Sequence, residues 1–341
     1  MADEALRMVG ASGSPYSRKL RAVLRYRRIP HVWVTRGSPE ARELPRPRID
    51  LLPQLILPGA DGSFEARTDT TPLIRELERR YPGRSVLPSD PVVAFLDALV
   101  EDYADEWLTK CMFHYRWAYP ADIDKASRIL PRGFATDAPE PRAVAAGEQF
   151  AERQIERLSV VGSNEATAPV IEASYRRLLA TLDARLRASR FVLGARPGAA
   201  DFALYGQLSQ LVGFDPTPAV LALAEAPRVV AWVDVVEDLS GVEPEEGDWL
   251  PRQAAHASLG GLLEEIGRVY APFLVANARA LERGAERVEC TLDGRRWTQR
   301  PFPYQAKCLA WLRAGRDALT GDQRAALDGI LAGTGCEAFF G

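Results

Sequence analysis

Apolar and polar positions follow two periods along this chain, and the changes of period mark its elements. Leu6-Arg7-Met8-Val9 reads as a short strand and Gly10 to Gly13 as a loop; Leu20, Val23 and Leu24 then recur at helical spacing. A helix therefore starts within Ser14-Pro15-Tyr16-Ser17, with Ser14 as a capping hydroxyl and Pro15 suited to the first turn. His31-Val32-Trp33-Val34-Thr35 predicts a second strand. Arg36 to Pro47 predicts a loop with one helical turn, and Leu51 to Leu57 a third strand. Gly59-Ala60-Asp61-Gly62 is a turn into a fourth strand, Ser63 to Arg67, closing a hairpin. Asp69-Thr70-Thr71-Pro72 opens a helix with Leu73, Ile74 and Leu77 as its buried stripe. The order is β-α-β, then β-β-α, and the first unit implies a right-handed crossover with parallel strands.

The run from Tyr81 to Pro91, rich in Pro, Gly and Ser, predicts a linker. Beyond it Leu96, Leu99, Val100, Tyr103, Trp107, Cys111, Met112 and Tyr115 form a helical stripe, with Glu101, Asp102, Asp105, Thr109 and Arg116 on the opposite face. Residues 120–142, with prolines at 120, 131, 139 and 141, predict an irregular insertion. Helices are predicted over residues 143–160 and 169–188, and another begins near Gly198 with Asp201 as its third residue. After Trp249 come a helix from Leu259 to Leu281 bent near Pro272, a hairpin turning at Asp293-Gly294, and helices from Phe302 to Arg313 and Asp322 to Leu331. This tail is too poor in apolar residues to stand alone and is expected to pack on the helical half, with Cys308 buried.

Composition narrows the function classes. The chain has 341 residues, enough for about two domains, with 47% apolar and 26% charged positions. A net charge of −3 supplies no drive toward nucleic acid or an anionic membrane. Only four of the 43 basic residues are lysines, an Arg-rich usage that fits a GC-rich, bacterial genome. Cys111, Cys290, Cys308 and Cys336 are scattered, which suggests neither a zinc site nor a disulfide framework. No metal site is expected from Asp105, Glu106 and His114 either, since their spacing matches neither HExxH nor ExxH. The acidic start is unlike a signal peptide, and no apolar run reaches the roughly 18 residues of a membrane span. A soluble, cytoplasmic protein is expected.

Three motifs then carry a resemblance. Ser14-Pro15-Tyr16-Ser17 resembles the Cys-Pro-Tyr-Cys of glutaredoxins with both cysteines replaced, and more closely the Ser-Pro-Phe of serine-type glutathione transferases. Leu52-Pro53-Gln54-Leu55 resembles that superfamily's Val-Pro-x-Leu segment, whose proline is cis. Asp69-Thr70-Thr71-Pro72-Leu73 resembles its Glu-Ser-x-x-Ile helix start. Over residues 1 to about 240 the chain resembles the glutathione S-transferase superfamily. The resemblance implies an α/β thioredoxin-like N-terminal domain (1–82) and an all-α transferase C-terminal domain (92–250). Residues 251–341 are then an extension of extra helices and a hairpin packed on the helical domain. It also implies a homodimer, glutathione as cosubstrate, no metal, and a small apolar electrophile as second substrate.

The chemistry asks for little. Lowering a thiol pKa by two units from about 8.5 takes about 2.7 kcal/mol. A helix N-terminus supplies up to about 2 kcal/mol and a hydrogen bond to a charged acceptor about 1.5–3 kcal/mol. One hydroxyl at one helix start suffices, and the resemblance ranks Ser14 first as thiolate stabiliser, Ser17 second, with Tyr16 lining the cleft. By resemblance Pro53, Gln54 and Leu55 meet the peptide backbone of glutathione, and Asp69 and Thr70 receive its γ-glutamyl amino and carboxylate groups. Trp107, His114 and Trp117 are candidates for the second-substrate cleft, although core packing explains the aromatic stripe as well, and His114, near that stripe, reads first as a satisfied core histidine. The alternative to an enzyme is a non-catalytic glutathione-binding or scaffold protein of the same fold.

Overall fold

In the computed structural model β1 (Leu6–Gly10) and β2 (His31–Thr35) pair in parallel, as the intervening helix α1 (Pro15–Tyr26) requires. The structure describes residues 5–59 and 61–341; Ala60, in the predicted turn, and the four residues of the acidic start lie outside the described residues. A four-residue helix, α2 (Pro39–Arg42), is the single turn expected in the following loop. β3 (Gln54–Pro58) runs antiparallel to β1 and β4 (Phe64–Arg67) antiparallel to β3, giving the sheet order β2-β1-β3-β4. β3 begins three residues later than predicted, directly after the cis Leu52–Pro53 peptide. Proline has no N–H to give the ladder. α1 and α3 (Thr70–Arg80) bury Leu20, Val23 and Leu24, and Leu73, Ile74 and Leu77, as their spacing predicts.

The helical half starts with α4 (Pro91–Tyr103), passes through a π-helical turn at Ala104–Leu108 and continues as α5 (Thr109–Ala118). Its predicted polar face is not a solvated one. Glu101 and Asp105 are buried against Lys19 of α1, and Arg116 against Asp215 and Gln210. The predicted irregular insertion is also corrected: it holds α6 (Pro120–Ile129), a 3-10 turn at Arg132–Phe134 and the start of α7 (Glu140–Glu156). Pro120 and Pro141 lie in first helical turns, where a missing N–H breaks nothing, so these prolines open helices instead of preventing them.

Next come α8 (Leu158–Val161), α9 (Ala168–Ala188), the wholly buried α10 (Ala199–Leu211), α11 (Pro216–Glu225) and α12 (Pro227–Val236). At the start of α10 the Asp201 carboxyl accepts from the Gly198 and Val192 amides, 2.9 Å each. Glycine has no side chain to return the bond, so half of a capping box is present. Gly206 lets α10 approach α1, since a Cβ there would lie 2.7 Å from the Pro15 carbonyl oxygen.

The tail comprises α13 (Ala255–Glu265), a π-helical turn at Ile266–Tyr270, α14 (Ala271–Glu282), the hairpin β5 (Val288–Leu292) and β6 (Arg295–Gln299), α15 (Pro303–Asp317) and α16 (Gly321–Leu331). Asp293 (φ 50°) and Gly294 (φ 72°) make the hairpin turn in the left-handed region. α13 packs on α9, and α15 and α16 on α4. The tail shares the core of the helical half, Trp297 lying against Trp107 and Phe273. Among the described residues no helix is long and apolar enough to cross a membrane.

Candidate functional site

Strand register brings the three motifs to one end of the sheet. Val9 pairs with Gln54 and Leu55 with Arg67. The loop after β1, the loop before β3 and the loop after β4 therefore leave the sheet at the same edge, carrying Ser14, Leu52-Pro53 and Asp69-Thr70.

The three candidate hydroxyls of α1 have different commitments. Ser14 is the N-cap, and its Oγ accepts from the Ser17 amide at 3.2 Å. Its own proton has no acceptor among the described residues, and the residue is half-buried, so that proton is free to be donated outward. Ser17 is fully buried, and its Oγ accepts from the Ala11 amide at 3.3 Å, tying loop to helix. Tyr16 donates to the Asp105 carbonyl oxygen at 2.7 Å. Burial, with Glu106 and then Asp105 beside it, holds the Tyr16 phenol well above its usual range and therefore neutral.

Around Pro53, the Leu55 side chain is buried within the sheet, and the Gln54 amide donates to Asp50, which also pairs with Arg36. The group left open is the Leu52 backbone, whose N–H and C=O enter no hydrogen bond among the described residues. Asp69 occupies the N-cap place of α3 without capping it: no side-chain bond reaches the helix amides, and φ is 77°. Thr70 is buried in the first turn. The Asp69 carboxylate instead accepts from the hydroxyl of Tyr304, a tail residue, at 2.7 Å.

Beside these loops, α1, α3 and the helical half share a buried polar cluster. Lys19, wholly inside, lies 2.8 Å from Glu101 Oε1 and 2.5 Å from Asp105 Oδ2. The Thr71 hydroxyl faces the same two carboxylates. Arg75 lies 2.9 Å from Glu101 Oε2, close enough for an ion pair but angled off a hydrogen bond. Burial opposes the Lys19 charge, yet Asp105 and Glu101 outweigh it and raise the pKa. Burial likewise opposes the Glu101 charge, and Lys19 and Arg75 pull that carboxyl down; Asp105 is pushed up, by burial first.

Beside Tyr16 lie Glu106, 8% exposed, and Gln207, 1% exposed with neither amide atom bonded. Burial first, then Asp102 and Asp105, push the Glu106 carboxyl up to about 8; Gln305 and Lys110 work the other way. The folded chain thus keeps a proton that the unfolded chain gives up near 4.5. The stability this contributes is complete below about pH 4.5 and is lost as pH rises toward 8. Glu106→Gln should match the wild type in urea denaturation at pH 4 and exceed it at pH 8. A constant difference across that range would contradict the assignment.

The residues considered for a second-substrate cleft sit in the interior. Trp107 is fully buried between Phe273 and Trp297 and donates to Ser174 Oγ at 2.8 Å. Trp117 packs on Phe113 and Phe150. His114 bonds Ser163 and Glu172, and burial, only partly offset by Glu172, lowers its pKa and keeps the imidazole neutral. Sequence reasoning missed Leu52 as the open backbone, Lys19 as a buried cation, and Tyr304 and Gln305 as tail residues reaching this region. A lysine within an apolar helical stripe, in a chain with only four, was the available signal for the second.

A glutathione S-transferase N-terminal domain model matches residues 8–85, and a glutathione S-transferase C-terminal domain model matches residues 148–234. The chain belongs to the glutathione S-transferase superfamily. Its thioredoxin-like sheet unit and helical unit are the two domains of a glutathione S-transferase, and the tail lies beyond both matched segments. Similar solved structures include a glutathione S-transferase from Methylobacterium radiotolerans in complex with glutathione sulfonate. That pair has 19% identity over 73% of this chain and 95% of that one, at a TM-score of 0.41. A glutathione transferase from Burkholderia graminis, with two glutathione molecules bound per subunit, is 16% identical over 68% and 83%, at 0.42. The Tau class glutathione S-transferase from mango, Mangifera indica, is 16% identical over 72% and 96%, also at 0.42. Comparison with curated proteins gives no match for this glutathione S-transferase superfamily member.

Proposed function

We propose that the chain binds glutathione at the end of its four-stranded sheet and holds the thiol as a thiolate at the start of α1, as a transferase acting on a small electrophile. The observation that carries this is the Ser14 hydroxyl, half-buried at a helix N-terminus with its proton uncommitted. Ser14 stays a neutral alcohol and donates to the sulfur. Ser17 holds the loop, and Tyr16 is engaged with Asp105. The open Leu52 backbone beside Pro53 takes the peptide of the ligand, with Gln54 and Leu55 holding that segment in the sheet. Asp69 takes the γ-glutamyl ammonium, and Thr70 with the first amides of α3 takes its carboxylate. Residues 1–82 form the glutathione unit, 92–250 the helical unit, and 251–341 the extension.

The polar surroundings of Tyr16 suit an electrophile with hydrogen-bonding groups better than the purely apolar one that the motif resemblance implies. A second proposal, a glutathione-binding protein without transfer chemistry, is favoured by the packing of Trp107 between Phe273 and Trp297. We also propose a cytoplasmic homodimer whose interface avoids the part of α4 that α15 and α16 cover; sedimentation equilibrium tests the assembly. Calorimetry with glutathione tests the site, and no binding at millimolar ligand would sink both proposals for it. Ultraviolet thiolate absorbance of the bound ligand separates them: its presence favours the transferase, its absence the binding protein.

A further inference from the structure

Asp69 stands in an expensive conformation for a non-glycine residue, φ 77° and ψ 110°, and its side chain does not cap the helix it precedes. Pro72 at the third helical position has no N–H, so only the Thr71 amide is left as a capping partner within the first turn. The carboxylate is instead turned off the helix and held by the Tyr304 hydroxyl, 2.7 Å from Oδ2.

Tyr304 is itself placed with care by the tail. The fully buried Asn277 of α14 donates to the Phe302 carbonyl at 3.0 Å and accepts from the Phe302 amide at 2.8 Å, fixing the residue just ahead of α15. The Tyr304 ring lies edge-on to Trp311, centroids 6.0 Å apart, two turns along α15. The next residue, Gln305, is 3% exposed and donates to the Glu106 carbonyl at 3.5 Å, leaving its Oε1 unbonded. The first turn of α15 therefore meets the candidate site twice, at Asp69 and at Glu106.

We propose that Tyr304 is a positioning residue of the amine-binding subsite, holding the Asp69 carboxylate out toward the γ-glutamyl ammonium of bound glutathione. This rests on the glutathione assignment above and extends it to the tail. An ionised carboxylate has about four acceptor positions, so one phenol donor on Oδ2 leaves Oδ1 free for the ammonium. A phenol also orients the carboxylate without neutralising it. Burial, then Asp69 itself, raise the Tyr304 pKa, so the group remains a donor. The tail thereby becomes a wall of the first-ligand site.

The test is calorimetry on the full chain and its Tyr304→Phe variant, each titrated with glutathione and with glutaryl-cysteinyl-glycine, which lacks only the α-amino group. Tyr304→Phe is expected to weaken glutathione about ten-fold and the deaminated ligand less than about two-fold, the signature of coupling between hydroxyl and ammonium. Equal weakening of both ligands would mean that Tyr304 only supports the fold and would overturn the proposal. Tighter glutathione binding by the variant would overturn it too, because Tyr304 would then be a plug. A wild type that binds no glutathione would overturn the glutathione assignment itself, and this proposal with it.

Discussion

Lys19→Met is expected to cost the folded chain about 3–5 kcal/mol, read as a lower urea midpoint. Lys19 is wholly enclosed, with Glu101 and Asp105 at 2.8 and 2.5 Å. Removing the ammonium leaves two carboxylates facing one another with little water to screen them, and desolvation of each is no longer compensated. Arg75 relieves Glu101 in part but lies on its far oxygen. Global stabilities of domains run to about 5–15 kcal/mol, so the loss is a large share. Adding Asp105→Asn to Lys19→Met should recover part of it, because the neutral amide no longer needs the cation. Strict additivity of the two substitutions would show that the network is not coupled.

Ser14→Ala is the second large effect, and it falls on chemistry instead of folding. Loss of a hydrogen bond to a charged sulfur removes about 1.5–3 kcal/mol of preferential anion stabilisation, or about one to two units in the pKa of bound glutathione. From a thiol lowered by two units to about 6.5, the thiolate at about pH 7, and transfer with it, should fall roughly three- to twenty-five-fold, while the cap lost at α1 costs about 1 kcal/mol of stability. Titrating the thiolate absorbance of the bound ligand in both proteins measures the shift directly. An unchanged pKa in Ser14→Ala would assign the sulfur to another donor and remove Ser14 from the chemistry. Ser17→Ala is a useful contrast: its hydroxyl holds the Ala11 amide, so stability should respond and the thiol pKa should not.

Much of the first eighty residues was legible because the signals there are local. The strands, the two helices, the parallel β1–β2 pair and the hairpin follow from period, turn residues and the handedness of the crossover. The prolines of residues 120–142 misled because proline at a helix start and proline in a loop look alike without knowing where the helix begins. The polar residues opposite the apolar stripe of residues 96–115 are a different case. A helix with two packed faces can bury charge when a neighbour supplies the counter-ion, and that neighbour, Lys19, is more than eighty positions away.

The Ser14-Pro15-Tyr16-Ser17 turn shows where sequence alone stops. Its residues and their neighbours determined a capped helix after a strand, and the three motifs together determined the family. Which hydroxyl is free was decided only in three dimensions, because Ser17 and Tyr16 are committed by partners that the fold delivers, Ala11 across the loop and Asp105 across the two domains. The same holds for the tail. Its helices and hairpin could be read residue by residue, but the contact from Tyr304 to Asp69 spans 235 positions and depends on α14, α15 and α4 packing together. Local pattern determines elements because backbone hydrogen bonding and burial are settled within a few residues. A site assembled from distant segments is settled by packing, which only the tertiary structure contains.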